Sequence, residues 1–340
     1  MKKILIRADG GKGIGMGHIM RMLVLANELK KKCEIIFLCI NNSYDKYLAG
    51  IEKIKKNGFK VELICEDNIV SEIIKIQQKQ KANLLITDSY DVDEHYFDEL
   101  EDCFDKTAYM DDTNICRINV DIIINQNINA NGYKYNTYPN KKTKFFLGSK
   151  YILLRDEFGK KSKKKVKLEV KDIILTVGGM DDKWLTLMVM EALTDFKGNL
   201  HVIIGGAFEK RLVETILKFK SDKLKIIPYE NAVMSEVMEK CDLAISGCGS
   251  TLYELCAIGI PTIGIVIADN QQKVAETMDE KHVIINTNDI IYKDISVFKE
   301  IVFKVICNMD VRNNLVKESR KCVSVNGAKS LCEEILLIIS

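Results

Sequence analysis

At 340 residues the chain is too long for one average domain and suits two, and with 47% apolar residues each half can bury a core. Its 50 lysines and arginines nearly cancel 48 aspartates and glutamates, leaving a formal charge of +2, so the basic excess of a nucleic-acid binder is absent. The cysteines number 11, with no CxxC pair and no Cys/His zinc spacing; they read as reduced small hydrophobes of a cytoplasmic protein, and no metal or other cofactor is expected.

The opening MKKILIRAD is too short an apolar run for a signal peptide, being broken by Arg7 and Asp9. No stretch approaches the roughly 18 apolar residues of a membrane helix, so no stable membrane insertion is expected. Residues 3–9 (KILIRAD) read as a buried strand, followed by a helix over 17–31 with Ile19, Leu23, Leu25, Ala26 and Leu29 at helical spacing. Further strands are expected at 33–40, 60–65, 83–89, 106–112 and 120–125, most with helical patterns between them. The Asn-rich stretch 124–136 reads as a loop. The basic run 159–167 (GKKSKKKVK) reads as a solvated linker in preference to a phosphate or membrane site.

The alternation restarts with strands expected at 172–179, 199–206, 224–229, 241–246, 261–267 and 282–286. Continuous apolar strands alternating with helices define an α/β architecture with parallel sheets covered on both faces. The expectation is two Rossmann-like domains, 1–158 and 168–340, facing a central cleft. The closing EEILLIIS reads as an amphipathic helix, a candidate to pack back on the first domain. Ligands in such folds sit beyond the carboxyl ends of the strands.

Two loops at strand ends carry the chemistry. The first is DGGKGIGMGHIMR, residues 9–21. Its glycines permit positive φ and close approach of a ligand, and the helix beginning near Gly17 offers unpaired N–H groups. It matches neither GxGxxG nor GK[ST], which argues against a dinucleotide enzyme or a P-loop NTPase. His18, in the first helical turn, is read as a neutral imidazole able to accept a proton, in preference to a plain helix cap. Asp9, Asp88, Asp111 and Asp112 end strands in the same half, and each can orient His18, hold a sugar hydroxyl or serve as base. The other histidines read as structural: His201 inside a strand, His282 opening one, His95 on a polar helix.

The second loop is SGCGSTLYELCAIGIPTIG, residues 246–264. Gly247 and Gly249 make the turn, Ser250 and Thr251 open the next helix as diphosphate ligands, and Glu254 lies one turn on, suited to ribose hydroxyls. The plainer reading is a capped helix. Gly178 and Gly179 follow the first strand of this half, and Asn270 and Gln271 follow another; both loops are expected to reach the same ligand.

IGMGHIMR, ITDSYDVD, the aspartates 111–112, INQN at 124–127, VGGMD at 177–181, SGCGSTLYE at 246–254 and DNQQ at 269–272 occur in matching order in a known family. Together they resemble the nucleotide-sugar hydrolases of bacterial pseudaminic acid synthesis, relatives of the spore-coat-polysaccharide proteins. The second half is also similar to the N-acetylglucosaminyltransferase of peptidoglycan synthesis. The resemblance implies the GT-B fold, a UDP-activated 2,4-diacetamido-2,4,6-trideoxy-β-L-altropyranose as substrate, and release of UDP without a metal. It implies a catalytic role for His18, active-site positions for Tyr90 and Asn270, and ribose contact for Glu254. Ser89 departs from a relative that has His there. Carried forward as catalytic candidates are His18, Asp9, Tyr90 and Asn270. The substrate-binding candidates are Gly15, Gly17, Arg21, Asp88, Asn125, Gly178, Gly179, Gly249, Ser250, Thr251, Glu254 and Gln271. A glycosyltransferase of the same fold and a UDP-sugar-binding regulator without turnover remain the alternatives, and the oligomeric state is open.

Overall fold

The computed structural model describes residues 1–42, 44–114, 116–159 and 164–340. They divide into two compact units, Met1–Asp156 with Asn326–Ser340, and Glu157–Val325.

The first unit runs β1 (Lys2–Ala8), α1 (Gly17–Leu29), β2 (Cys33–Asn41), α2 (Leu48–Lys56), β3 (Lys60–Cys65), α3 (Ile69–Gln80), β4 (Leu84–Asp88), α4 (Glu94–Glu101), β5 (Lys106–Met110), β6 (Ile122–Asn125) and β7 (Lys144–Leu147). Its described strands form one parallel sheet in the order β3-β2-β1-β4-β5-β6-β7. The central strands are apolar throughout because helices cover both faces; Ile4, Leu5 and Ile6 of β1 are fully buried. On α1, Ile19, Met22, Leu25, Ala26 and Leu29 point into that core, and burying a side chain such as Ile19 contributes roughly 1.5–3 kcal/mol.

The second unit runs β8 (Asp172–Thr176), α5 (Leu185–Ala192), β9 (Gly198–Ile204), α6 (Lys210–Lys218), β10 (Leu224–Glu230), α7 (Met234–Lys240), β11 (Leu243–Gly247), α8 (Thr251–Ile258), β12 (Thr262–Ile265), α9 (Gln272–Glu280), β13 (Ile285–Asn286), α10 (Ile290–Lys293), α11 (Ile295–Cys307) and α12 (Met309–Cys322). Its described strands form a parallel sheet in the order β10-β9-β8-β11-β12-β13. Pro228 lies on β10, an edge strand, where a missing N–H costs no ladder bond. The last helix, α13 (Gly327–Ile339), belongs to the first unit and sends Leu331, Cys332, Ile335 and Ile339 into its core. Gly327 is required there, since a Cβ would lie 2.3 Å from the Ile152 carbonyl oxygen.

In both units the order of strands reverses beside the first strand, between β1 and β4 and between β8 and β11. The carboxyl ends of these pairs are the switch points at which open α/β sheets bind ligands.

Several expectations change. The units meet at Asp156–Glu157 and the second ends at Val325, so the ranges 1–158 and 168–340 shift. Strand β7 was not anticipated: it is a short edge strand with Lys144 and Phe145 exposed, so it lacks the continuous apolar run. His282 does not open a strand but sits in a turn at φ +56°. Within the basic run 159–167, residues 160–163 lie outside the described residues. Of the rest, Lys164 and Lys167 are fastened to the second unit, while Gly159 and Lys165 are exposed. Lys164 Nζ donates to the carbonyls of Met238 and Glu239, and Lys167 pairs with Asp242 at 2.8 Å. The buried Arg312 donates to the carbonyls of Lys167 and Leu168 at 2.9 and 2.8 Å. His201 is a satisfied core histidine, bonded to Asp172 at 2.8 Å and Tyr229 at 2.9 Å.

Candidate functional site

The loop after β1 is folded by glycine geometry. Gly11 and Gly15 exchange backbone hydrogen bonds at 2.9 and 3.0 Å, and Gly15 holds φ +73°. At Gly11 a Cβ would stand 2.0 Å from the Lys46 carbonyl oxygen, so no other residue fits. Helix α1 then starts at Gly17 with no side-chain cap from Met16. Its first-turn N–H groups keep the unpaired character that suits an anion. A Cβ on Gly17 would meet nothing within 4 Å, so the space before the helix is open.

His18 projects from this first turn toward β4. Its Nδ1 lies 2.6 Å from Asp88 Oδ1. Arg21 Nη2, a donor, also approaches Nδ1 at 3.2 Å, but the shorter contact is to a carboxylate, which only accepts, so Nδ1 is assigned the proton and, in the neutral ring, Nε2 keeps its lone pair. Asp88 is fully buried. Burial alone would raise its carboxyl, but the charge of Arg21 and the bonds from Arg21 and His18 hold it well below the usual carboxylate range. Arg21 forks onto both Asp88 oxygens, Nε to Oδ2 at 2.7 Å and Nη2 to Oδ1 at 2.5 Å, and its Nη1 reaches Asp112 Oδ2 at 3.0 Å. Tyr90 OH donates to the same Asp112 oxygen at 3.1 Å, and the Tyr90 ring packs edge-on against His18 with centroids 4.6 Å apart. Burial, and then the Asp112 charge, push the Tyr90 phenol above its ordinary range, so it serves as a donor at neutral pH.

Two expected site residues are committed elsewhere. Asp9 accepts from the Ile40 N–H at 2.7 Å and faces Arg7 at 4.0 Å, with no hydrogen bond to His18 among the described residues. Burial raises its carboxyl, and Arg7 opposes that. Asp9 therefore ties β1 to β2 instead of orienting the histidine. Asn125, 1% exposed, donates to Tyr135 OH at 2.9 Å and accepts from the Asn127 N–H at 3.0 Å. It holds the loop after β6 in place of a substrate. Tyr135 and Tyr133 in turn donate to the carbonyls of Asp111 and Asp112, at 3.4 and 3.2 Å. Asp111 is spent on a turn, accepting from the N–H groups of Thr113 and Asn114 at 2.9 Å.

In the second unit the loops after β8 and β11 differ at the start of the helix that follows. Gly178 takes φ +106°, and a Cβ on Gly205 would stand 2.5 Å from the carbonyl oxygens of Gly178 and Gly179. Asp181 accepts from the N–H groups of Leu185 and Thr186 at 2.8 Å each, so the start of α5 is already capped. Ser250 stands at the N-cap of α8 with no side-chain cap bond, Thr251 is the first helical residue, and Glu254 lies on the first turn. The Ser250 hydroxyl thus makes no cap bond, and the Leu252 and Tyr253 N–H groups donate to the carbonyls of Gly249 and Ser250 at 3.1 Å each. Gln271 Oε1 accepts from the Ile267 N–H at 3.1 Å, while Asn270 is exposed on the same short turn.

Sequence reasoning missed the tyrosine pair 133 and 135, the cap Asp181 and the place of Arg21 between two carboxylates. The spacing of His18 and Arg21, one helical turn apart, was the available signal for the last. Among the described residues no group of three or more His, Cys, Asp or Glu is placed to hold a metal ion, and no helix is long and apolar enough to cross a membrane.

Two Rossmann-like units on parallel sheets make this a protein of the GT-B type. Over 99% of its length the chain is similar to the MurG of Acinetobacter baumannii, 99% of which it covers, with a TM-score of 0.69 at 12% identity, a likeness of fold. Residues 173–335 match the model of the glycosyltransferase family 28 C-terminal domain. An uncharacterized protein of Methanocaldococcus jannaschii is 35% identical over 276 residues, which is 77% of this chain but only 55% of that protein. The UDP-2,4-diacetamido-2,4,6-trideoxy-beta-L-altropyranose hydrolase of Campylobacter jejuni is 26% identical over 281 residues, 82% of this chain and 97% of that one.

Proposed function

We propose that the protein is a hydrolase of a UDP-activated 2,4-diacetamido-2,4,6-trideoxy hexose, releasing UDP and free sugar. The observation that carries this reading is the His18–Asp88 contact at 2.6 Å, which leaves Nε2 as the proton acceptor. The likeness to the Campylobacter hydrolase along 97% of that protein supports the substrate class.

In this mechanism Nε2 of His18 takes a proton from water as the water oxygen bonds to the anomeric carbon. The bond between that carbon and the diphosphate oxygen breaks, and its electron pair leaves with UDP. Attack opposite the leaving group inverts the anomeric centre. General-base help of this kind contributes typically about 10²–10⁴-fold. Asp88 holds the ring and compensates the imidazolium as it forms. Ser250 and Thr251, at the start of α8, are the ligands assigned to the diphosphate, and Glu254 the one assigned to the ribose hydroxyls. Tyr90 and Asn270 serve as contacts to the sugar. No step calls on a metal.

Incubation of the purified protein with the UDP-sugar and no acceptor tests the reading. Free UDP should appear and vanish in His18→Ala, and in ¹⁸O water the label should enter the sugar and not the phosphate. The match to a glycosyltransferase domain over 173–335 favours a transferase as the second reading. UDP release only on adding an acceptor would establish it, and binding without release would establish a regulator.

A further inference from the structure

Arg21 follows His18 by one helical turn, so both side chains leave the same face of α1. Its Nε and Nη2 take the two oxygens of Asp88 at 2.7 and 2.5 Å, and its Nη1 takes Asp112 Oδ2 at 3.0 Å. All three guanidinium nitrogens thus already donate to a carboxylate, and one cation stands between two anions. Only 13% of the Arg21 side chain is exposed. Such a group has no surplus charge to offer a diphosphate. Its two carboxylates lead to the two rings of the site: Asp88 to His18 Nδ1, and Asp112 to Tyr90 OH at 3.1 Å, whose ring returns to His18. The closed circuit draws on α1, the end of β4 and the loops after β4 and β5.

We propose that Arg21 is a positioning residue. Through Asp88, and at the 3.2 Å approach of its own Nη2 to His18 Nδ1, it sets the tautomer and angle of His18, and through Asp112 it sets the Tyr90 ring, in place of the substrate-binding role expected of it. The kinetic part rests on the reading of His18 as general base. A planar fork is needed for this: lysine supplies the charge but only a single point of contact.

Arg21→Lys is the first test. A positioning role lowers kcat by about 10- to 100-fold with KM within about twofold, because the lost contacts matter only when the reacting groups align. A raised KM with kcat preserved is the mark of a phosphate ligand and overturns the proposal. Asp112→Asn is the second variant, which leaves the Asp88 fork intact. It should lower kcat at constant KM, and the double variant should lose little more than Arg21→Lys alone, since both act through one network. Additive losses would overturn the coupling. If Arg21→Lys does not fold, Asp112→Asn alone decides, on the same split between kcat and KM.

A third readout needs no turnover. In ¹⁵N NMR of labelled histidine, the native protein should hold His18 as the Nδ1–H tautomer, and Arg21→Lys should mix in the Nε2–H form. An unchanged tautomer overturns the role of Arg21. Should the native protein release no UDP, the functional reading falls, while the NMR result still decides the positioning role.

Discussion

Ala8 and Asp88 are direct register partners across the parallel β1–β4 ladder. That pairing brings the last residue of β4 to the mouth of the β1 loop, where helix α1 begins, and Asp88 meets Nδ1 of His18 there at 2.6 Å. Asp88→Asn keeps the shape but can donate where the carboxylate accepts, favouring the wrong imidazole tautomer. UDP release should fall by about 10³–10⁴-fold in kcat with KM little changed, read by steady-state assay. Asp9→Asn should cost less than about tenfold in kcat, because an amide oxygen still serves the Ile40 N–H and Asp9 does not touch the histidine.

The same carboxylate makes stability depend on acid. Asp88 is held below its ordinary value in the folded state, so its contribution is present above the unfolded value of about 3.9 and is lost as pH falls through and below it. Asp9, raised by burial, runs the other way: its contribution is present at low pH and fades as pH rises through its raised folded value. Urea midpoints measured from pH 7 down to 3 should drop below about pH 4. Asp88→Asn should flatten that acid limb, and Asp9→Asn should lessen the loss of stability on the alkaline side of pH 4.

Glycines of one loop should separate by role. Gly11→Ala forces a Cβ to 2.0 Å from the Lys46 carbonyl oxygen, so thermal melting should fall sharply. Gly17→Ala meets nothing within 4 Å and sits in the first turn of α1. It should melt unchanged or slightly higher, by up to about 1 kcal/mol, while its methyl group obstructs the open approach and raises KM. Calorimetric scans paired with steady-state kinetics would read both.

Glu254 stands on the first turn of α8 beside Ser250 and Thr251. Glu254→Ala should weaken UDP binding by about 10- to 100-fold, the worth of a charge-assisted hydrogen-bond pair to a ribose. Titration calorimetry with UDP, and with deoxyuridine diphosphate as control, would measure it. Equal affinity of the native and variant proteins for UDP would remove Glu254 from the ribose.

Arg312→Ala should destabilise the second unit by about 3 kcal/mol in urea unfolding. Its donors serve four carbonyls, those of Val305, Ile306, Lys167 and Leu168, and buried acceptors left without partners carry a desolvation cost.

The α/β class and the parallel sheets were legible in the sequence because they rest on local signals: unbroken apolar strands, helical spacing between them and glycines where strand turns into helix. The same signals marked His18 and Ser250, since each lies where a glycine-bearing strand-end loop turns into a helix. Strand β7 escaped because an edge strand with one wet face carries no such run. Which carboxylate serves His18 was beyond sequence. Asp9 is nearer along the chain, yet Asp88 is the partner, because β4 and not β2 carries an aspartate to the histidine's side of β1. Arg21 likewise reads as a substrate-binding residue until the fold sets Asp88 and Asp112 around it. Spacing along a chain fixes which face of an element a residue occupies; strand order, a non-local choice made by crossovers and burial, decides what that face meets.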